Sequence, residues 1–266
     1  MLSPSKKTIP SLPVIGLPFA VTDYDQAVDW VMACVLAADS VYTVSAANAH
    51  VAALARNESD FGNIIRQFDL ICPDGMPIVW SLNLQLTREN RLTERVCGPT
   101  LMLKVFEKTA EDRRFSHYVL GGKQDTIDKM LARLEAKFPT AQIAGSYSPP
   151  FGEWSDEEKK NIIDQIKDSG ANMIWVGLGC PKQERWIIEN KHQLPKGVYF
   201  AVGAAFTFHS GEIPQAPLFI QQSGFEWLYR LLMEPRRLFR RYLVFNTLFI
   251  YYLLKDAMID DIEKKM

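Results

Sequence analysis

The chain has 266 residues, of which 30 are Lys or Arg and 31 are Asp or Glu, so its net charge at pH 7 is -1. This balance excludes a globally basic nucleic-acid binder and an acidic solvating tail. Hydrophobic residues make up 47% and charged residues 23%, which is typical of a folded globular protein. The length suits one large domain with an appendage.

The cysteines and the N-terminal region indicate a reducing, intracellular location. Cysteines at 34, 72, 97 and 180 form no CxxC pair and have no His at metal-ligand spacing, so we expect free thiols. Four prolines before residue 20 interrupt the first apolar run and leave no signal-peptide core. The longest apolar run, 242–254, has 13 residues, fewer than the roughly 20 that a spanning helix needs. We therefore predict a cytosolic chain without a transmembrane segment.

Hydrophobic periodicity and turn residues predict alternating helices and strands. In chain order, we expect a helix at 23–38, a strand at 41–45, a helix at 48–57, a strand at 70–72 with a turn at 73–77, helices at 78–84 and 99–112, a strand at 117–120, a helix ending at Pro139, a strand at 142–145, a helix at 155–169 begun by a Ser155–Glu158 capping box, a strand at 172–176, a helix at 181–192 and a strand at 198–202. Strands separated by helices indicate a doubly wound, mostly parallel, Rossmann-like α/β sheet. Ligands of such sheets bind at the carboxyl ends of the strands.

The composition changes after Gly211, so we divide the chain into an α/β core at 1–211 and a helical, Arg-rich C-terminal appendage at 212–266. Five arginines lie within twelve residues of the appendage, at 230, 236, 237, 240 and 241, with aromatic residues between them. Guanidinium groups bind phosphates bidentately, which favours a phosphate clamp. An oligomerisation helix and nucleic-acid binding are the alternatives. The near-neutral chain argues against nucleic acid, and the apolar run that follows favours a membrane surface.

Two glycine turns follow predicted strands. Gly121 and Gly122 follow the strand at 117–120, and Gly179 lies in GLGCPK (177–182) after the strand at 172–176. Backbone N–H groups at such turns, next to a helix N-terminus, can bind a phosphate, although simple tight turns have the same sequence. The second turn lacks the third glycine of a dinucleotide fingerprint. Together the turns favour a nucleotide or nucleotide-sugar ligand at Gly121, Gly122 and Gly179.

Asp74 lies one residue past a predicted strand, between Pro73 and Gly75, where a general base would be useful. A helix cap is an equally good explanation of that position. Asp23-Tyr24-Asp25 matches the DxD metal motif of many sugar-nucleotide transferases. Because it begins a predicted helix, where acidic residues are common, we predict no metal site and no cofactor. The four histidines belong to no GxSxG, HExxH or Cys-His signature.

Eight segments together resemble the WecG/TagA/CpsF glycosyltransferase family, over about residues 12–254. They are ANAHV (47–51), CPDGMPIVW (72–80), ERVCGP (94–99), YVLGG (118–122), SPPFG (148–152), VGLGCPKQERW (176–186), VGAAFTFHSGEIPQAP (202–217) and GFEWLYRLLMEPRRLFRRY (224–242). Segments of this length in this order are highly specific.

This resemblance implies an inverting, metal-independent enzyme that transfers a sugar from a UDP donor to a polyprenyl-diphosphate-linked acceptor. It places the enzyme on the cytoplasmic face of the bacterial membrane, as a peripheral protein of cell-surface polysaccharide synthesis. It also assigns residues: Asp74 as the base, Asn48 and Arg95 in the substrate pocket, Gln183 in a conserved motif that binds substrate, and Arg230, Arg237 and Arg240 as arginines that the appendage brings over the active site. Of these arginines, Arg237 and Arg240 are predicted to act in catalysis and Arg230 in substrate binding.

The leading reaction that the resemblance implies is transfer of N-acetylmannosamine to N-acetylglucosaminyl-diphospho-undecaprenol. A uronic-acid donor, such as UDP-ManNAcA or UDP-GlcA, is the alternative within the class, and a nucleotide-binding regulatory module that docks a partner through its arginine helix is the alternative outside it. Many family members have Thr where this chain has Ala46, and Ser45 is expected to point to the other face of its strand, so the resemblance does not extend to one hydroxyl contact to the sugar. The sequence leaves a homo-oligomer open.

Overall fold

The computed structural model describes the backbone of residues 8–263 and the side chains in that range except those of Leu218, Arg237 and 260–263. Its strands are β1 (Ser11–Val14), β2 (Leu17–Ala20), β3 (Val41–Ala47), β4 (Leu70–Pro73), β5 (Ser116–Leu120), β6 (Gln142–Tyr147), β7 (Met173–Val176) and β8 (Gly197–Ala201). Within the described chain, β3 to β8 form a six-stranded parallel sheet in the order β4-β3-β8-β7-β5-β6.

Helices connect these strands and continue beyond the sheet. They are α1 (Tyr24–Ala37), α2 (Ala49–Asn57), α3 (Ser59–Ile65), α4 (Met76–Asn83), α5 (Gly98–Thr109), α6 (Gln124–Lys137), α7 (Asp156–Ser169), α8 (Lys182–Asn190), α9 (Ala204–His209), α10 (Leu218–Gln222), α11 (Glu226–Met233) and α12 (Pro235–Glu263), with a short 3₁₀ helix at Arg88–Asn90. The prediction of an α/β doubly wound parallel sheet with a helical C-terminal part is confirmed.

The central strands are buried on both faces, which explains why their sequences read as continuous apolar runs. All five residues of β8 are buried, and its alternate side chains enter two separate cores. Phe200 stacks on Trp175 of β7 on one face, with ring centroids 3.9 Å apart, while Tyr199 packs on the other face. Helices α1, α5 and α6 cover the first core, and α2 and α8 cover the second. The carboxyl ends of the strands remain as the open edge.

The capping box predicted for α7 is half right. The Ser155 hydroxyl oxygen accepts a hydrogen bond from the Glu158 backbone N–H at 3.1 Å, as a helix N-cap should. The Glu158 side chain, however, does not complete the reciprocal bond of a capping box, because its carboxylate accepts from the Tyr147 hydroxyl at 2.7 Å. A longer-range partner on β6 therefore wins over the local one.

The Pro-rich N-terminal stretch, for which we predict no element, forms the hairpin β1–β2. Ile15 and Gly16 make its two-residue turn, with φ values of 44° and 80°, the conformation that matches the twist of a tight hairpin. Pro13 and Pro18 lie opposite each other, one position beyond the pair that closes the turn. Backbone N–H groups at that position point away from the partner strand, so two prolines are tolerated there.

The proposed boundary at 211–212 falls in the turn between α9 and α10, and the chain beyond it ends in the 29-residue α12. The predicted 13-residue apolar run is part of a longer stretch, Leu238–Ile259, whose length and composition are sufficient for a membrane-crossing helix and of which 6% is buried. One face of α12 packs on α2. Phe249 is buried there, and Arg56 of α2 forms an ion pair with Asp256 at 3.2 Å. One face of this apolar helix is thus attached to the core.

Candidate active site

A cavity of about 730 Å³ lies over the carboxyl ends of β4, β3 and β8, which are neighbours in the sheet. Its floor is polar and comes from the turns after β3 and β4 and from the segment 95–99. Its walls come from α4, α9 and the appendage helices α10, α11 and α12. Core and appendage therefore enclose one site, at the sheet edge where the sequence predicts ligand binding.

Asp74 lies on the floor of this cavity because β4 ends one residue before it. Its backbone N–H donates to the carbonyl of Ala47 at 3.0 Å, which fixes the turn against the end of β3. Gly75 follows with φ of 134°, a conformation that would be strained for a residue with a side chain. This glycine lets the chain turn directly into α4. The Asp74 side chain is 20% exposed, and that exposure opens into the cavity.

Arg95 is the cation nearest to Asp74, with Nη1 4.0 Å from the Asp74 Oδ1. Its guanidinium is shared with the appendage. Nη1 forms an ion pair with the Glu226 carboxylate at the start of α11, and Nη2 donates to the Gln221 side-chain oxygen at 3.1 Å. Two carboxylates therefore flank one guanidinium, and the closer pair is the one with Glu226.

These surroundings raise the pKa of Asp74 to about 6. Burial of the carboxylate is the largest cause. Arg95 opposes the rise, Glu226 adds to it through charge repulsion, and Arg230 opposes it. Asp74 is therefore mostly ionised at pH 7 and remains basic enough to accept a proton there, as a general base requires.

Asn48 also lines the cavity, at the turn between β3 and α2. Its side-chain oxygen caps α2 by accepting from the backbone N–H groups of His50 at 3.1 Å and Val51 at 3.3 Å. Its amide nitrogen has no hydrogen-bond partner among the described residues. The predicted substrate contact of Asn48 can therefore be made through that nitrogen, while its oxygen organises the helix. Ser45 and Ala46, in the strand before it, are absent from the lining.

The appendage arginines, which the sequence groups together, have separate positions. Arg230 lines the cavity with its guanidinium carbon 5.3 Å from the centre of the Phe208 ring, and its Nε is buried without a partner among the described residues. Arg240 is exposed on α12, outside the lining, and the side chain of Arg237 is outside the described residues. The assigned roles of Arg237 and Arg240 stay predictions.

Arg241 has a structural contact instead. Its Nη2 donates to the His50 Nδ1 at 2.8 Å, and the His50 ring packs edge-on against Phe245 of the same helix. Burial, reinforced by the positive charge of Arg241, lowers the pKa of His50 to about 3. A neutral imidazole is needed, because only that form can accept from a guanidinium. This contact fixes α12 to α2 beside the cavity.

The two glycine turns lie on the same edge of the sheet but do not line this cavity. Gly121 has φ of 101°, and a Cβ atom there would meet the Gly177 carbonyl oxygen at 2.9 Å, so the two turns pack directly against each other. Gly122 has φ of 81° and faces Phe206, while Gly179 has φ of 82° and open space around it. Nucleotide binding at Gly121, Gly122 and Gly179 stays a prediction.

Gln183 is buried away from the cavity lining, and both its side-chain oxygen and its amide nitrogen bond to protein groups. Its side-chain oxygen accepts from the backbone N–H groups of Gly179 and Gly203, each at 3.1 Å, and its amide donates to Glu184 at 2.9 Å. It thus joins the turn after β7 to the turn after β8. The predicted substrate contact of Gln183 stays untested, and its visible action is to hold these turns.

The DxD motif lies away from the cavity. Asp23 caps α1 by accepting from the Gln26 backbone N–H at 2.8 Å, and the Asp25 side chain is 92% exposed, 3.8 Å from Lys104. The helix-start interpretation of these residues agrees with this geometry. Within the described part of the chain, no three His, Cys, Asp or Glu side chains are grouped to hold a metal ion.

Sequence comparison identifies the class of enzyme to which this site belongs. A model of the glycosyl transferase WecG/TagA/CpsF family matches residues 12–261. The chain belongs to this glycosyltransferase family. It is 28% identical over 194 residues to the N-acetylglucosaminyldiphosphoundecaprenol N-acetyl-beta-D-mannosaminyltransferase of Bacillus subtilis (strain 168), a match that covers 73% of this chain and 72% of the relative. The enzyme of the same name from Bacillus spizizenii (strain ATCC 23059 / NRRL B-14472 / W23) is 29% identical over 191 residues, covering 72% and 71%.

Several residues of this WecG/TagA/CpsF transferase site escape sequence reasoning. Glu226 lies in the segment GFEW, but an acid in the first turn of a helix is ordinary, and nothing local indicates its ion pair with Arg95. Gln221 and His50 likewise gain their roles from partners more than 100 residues away. The available signal for Glu226 is its place directly before the aromatic and arginine-rich segment.

Proposed function

We propose that this glycosyltransferase moves N-acetylmannosamine from a UDP donor to a polyprenyl-diphosphate-linked N-acetylglucosamine in bacterial cell-surface polysaccharide synthesis. The observation that carries the proposal is one cavity that joins a carboxylate of raised pKa, Asp74, to two guanidinium groups and an apolar wall. A sugar hydroxyl, a diphosphate and a prenyl chain need these three environments. The printed names of the Bacillus relatives support the sugar and the acceptor.

The proposed chemistry is a single displacement. An acceptor hydroxyl oxygen forms a bond to the anomeric carbon of the donor, while the bond from that carbon to the UDP oxygen breaks and UDP leaves with the electron pair. The hydroxyl proton passes to Asp74, whose carboxylate is the base on the cavity floor. Attack opposite the leaving group inverts the anomeric configuration. One base and one stabilised leaving group suffice for this reaction.

The leaving diphosphate gains negative charge in the transition state and needs a fixed cation. Arg230 fits this role better than Arg95, because the charge of Arg95 is already offset by Glu226 and Asp74. The buried, unpartnered Nε of Arg230 offers a hydrogen bond for an incoming oxygen. Arg237, on the neighbouring helix, is the second proposed cation. Arginines would thus replace the metal ion that DxD transferases use.

The apolar wall gives the acceptor lipid a path out of the cavity. The cavity is lined by exposed large apolar side chains, namely Trp80 of α4, Leu84 just after α4, Trp227 of α11, and Leu243 and Ile250 of α12. The outer face of α12 continues this surface. We therefore place the enzyme peripherally on the inner membrane face, with α12 at the lipid interface and its docked face on α2.

If arginines supply the counter-charge, removal of divalent cations should change little. Saturating EDTA is expected to leave the rate of UDP release within about twofold of the untreated enzyme, because no metal takes part in the displacement. Initial rates with and without chelator measure this. Loss of activity that Mg²⁺ or Mn²⁺ restores would contradict it and would direct attention back to Asp23 and Asp25.

Membrane attachment should depend on the outer face of α12. Val244, Tyr251 and Leu254 are exposed there and do not line the cavity. Replacing all three by Ser removes about 1 kcal/mol of interfacial burial each, so affinity for anionic phospholipid vesicles should fall by roughly two orders of magnitude. Co-sedimentation with the vesicles measures this affinity. The triple variant should still turn over a short soluble acceptor. Phe151→Ser, an exposed apolar change outside the appendage, is the control, and equal affinity of the triple variant and wild type would refute the attachment.

The function itself is tested with a panel of UDP-sugars and a polyprenyl-diphosphate-GlcNAc analogue, with the mass of the product recorded. We expect transfer of one N-acetylhexosamine from UDP-N-acetylmannosamine, and UDP release that depends on the acceptor. A product that carries a uronic acid would mean that the donor is a UDP-uronic acid, and the enzyme would remain a glycosyltransferase. Absence of transfer with every donor would refute the proposed function.

A further inference from the structure

Glu226 belongs to the cavity, yet the displacement gives it no direct part. It begins α11 and lines the cavity, and its carboxylate forms the ion pair with Arg95. A buried carboxylate costs free energy unless it is paired, so its retention beside a general base requires a reason. The two acids, Asp74 from the core and Glu226 from the appendage, both face the same nitrogen, Nη1 of Arg95.

The geometry of Arg95 explains what Glu226 achieves. An arginine free to close on Asp74 would make a bidentate pair at ordinary hydrogen-bond distance, which is the strongest contact that the two groups can form. Instead, Nη1 of Arg95 is 4.0 Å from the Asp74 carboxylate and pairs more closely with Glu226, while its Nη2 donates to Gln221. Arg95 is therefore pulled toward the appendage and away from Asp74.

We infer that Glu226 is a positioning residue for the reaction, and that by holding Arg95 it prevents an ion pair that would occupy Asp74 and weaken it as a base. This inference rests on the proposed function for its catalytic meaning. It also gives the appendage a way to act on the core, since α11 presents Glu226 to Arg95 and thereby adds to the basicity that burial gives Asp74.

The other groups that face Asp74 do not replace this action. Arg230 on α11 is a second cation that lowers the pKa of Asp74, so it works in the opposite direction to Glu226. Cys72 on β4 and Cys97 beside Arg95 are buried thiols whose pKa values are raised by burial, so both are neutral at pH 7. His50 on α2 is held neutral by burial, reinforced by the positive charge of Arg241.

The test compares pH–rate profiles of wild type, Glu226→Gln and Glu226→Asp. In wild type the acidic limb should lie near pH 6, because Asp74 must be ionised to act. Glu226→Gln should move that limb down by at least about one pH unit, since the freed Arg95 closes on Asp74, and should lower the plateau rate about tenfold. Glu226→Asp keeps the charge and should stay close to wild type. Glu157→Gln, an exposed acid on α7, is the matched control.

A second measurement separates this inference from the proposed function. The Asp74 carboxyl is titrated without substrates by infrared difference spectroscopy, with Asp74→Asn identifying its band. A lower titration midpoint in Glu226→Gln than in wild type supports the inference even if no UDP-sugar is a donor. An unchanged or higher midpoint, or an unchanged acidic limb in an active variant, overturns it and leaves the transferase function standing.

Discussion

Asp74→Asn is expected to lower turnover by roughly 10²–10⁴-fold, because the amide keeps the shape of the carboxylate but cannot accept the acceptor's proton. Donor binding should be largely retained, so the loss should appear in kcat rather than in the donor Kd. Steady-state kinetics and a donor titration measure the two quantities. Asp25→Asn, which removes an exposed carboxylate outside the cavity, should stay within about twofold of wild type.

The same substitution should stabilise the protein. The folded-state pKa of Asp74 is about 6, well above its usual range, so ionisation of this carboxyl weakens the fold as pH rises from 4 to 6. Above pH 6 this ionisation lowers the free energy of unfolding by about 3 kcal/mol. Asp74→Asn should therefore raise the free energy of unfolding at pH 7 and change it little at pH 4. A near-normal turnover would remove Asp74 from the role of base, whatever the effect on stability.

Arg230→Ala is expected to lower turnover by roughly 10²–10³-fold, because it removes the cation that we propose for the leaving diphosphate. The loss should fall on kcat and kcat/KM together, as for a contact that is stronger in the transition state. Arg230→Lys should recover only part of the rate, since an ammonium lacks the planar fork that binds two phosphate oxygens.

Arg236→Ala is the matched control for this prediction, because Arg236 is exposed at the start of α12 and lies outside the cavity lining. It should stay within about twofold of wild type. An increase in the donor KM alone in Arg230→Ala would instead assign Arg230 to ground-state binding. A large loss in Arg240→Ala would mean that α12 shifts when substrate binds, since Arg240 is outside the lining without it.

The sheet could be predicted from the sequence because its signal is local. Strands such as β7 and β8 are short apolar runs, and the helices between them have clear stripes and caps, so the order of elements leads directly to a parallel sheet and to its functional edge. Asp74 follows from the same rule, since it comes just after a strand, whereas Asn48 is predicted only through the family resemblance. The hairpin β1–β2 does not, because prolines normally argue against strands and its exception depends on pairing register.

The arrangement of the appendage could not be predicted, because it depends on partners far away in the chain. Arg240 and Arg241 are neighbours in sequence, but successive helix positions point about 100° apart, so one is exposed and the other reaches His50. No local pattern states which face of α12 meets α2. The ion pair between Glu226 and Arg95 likewise connects residues that only the folded chain brings together.

The side-chain amide of Gln183 links two loops that are separated by 24 residues, through two backbone N–H donors on one oxygen. Loops that are connected by such hydrogen bonds lose much of their conformational entropy when the protein folds. A ligand that binds at the sheet edge then meets preorganised turns and loses little affinity to ordering them. One buried side chain thus contributes to the rigidity of this edge, and it can do so without touching the substrate.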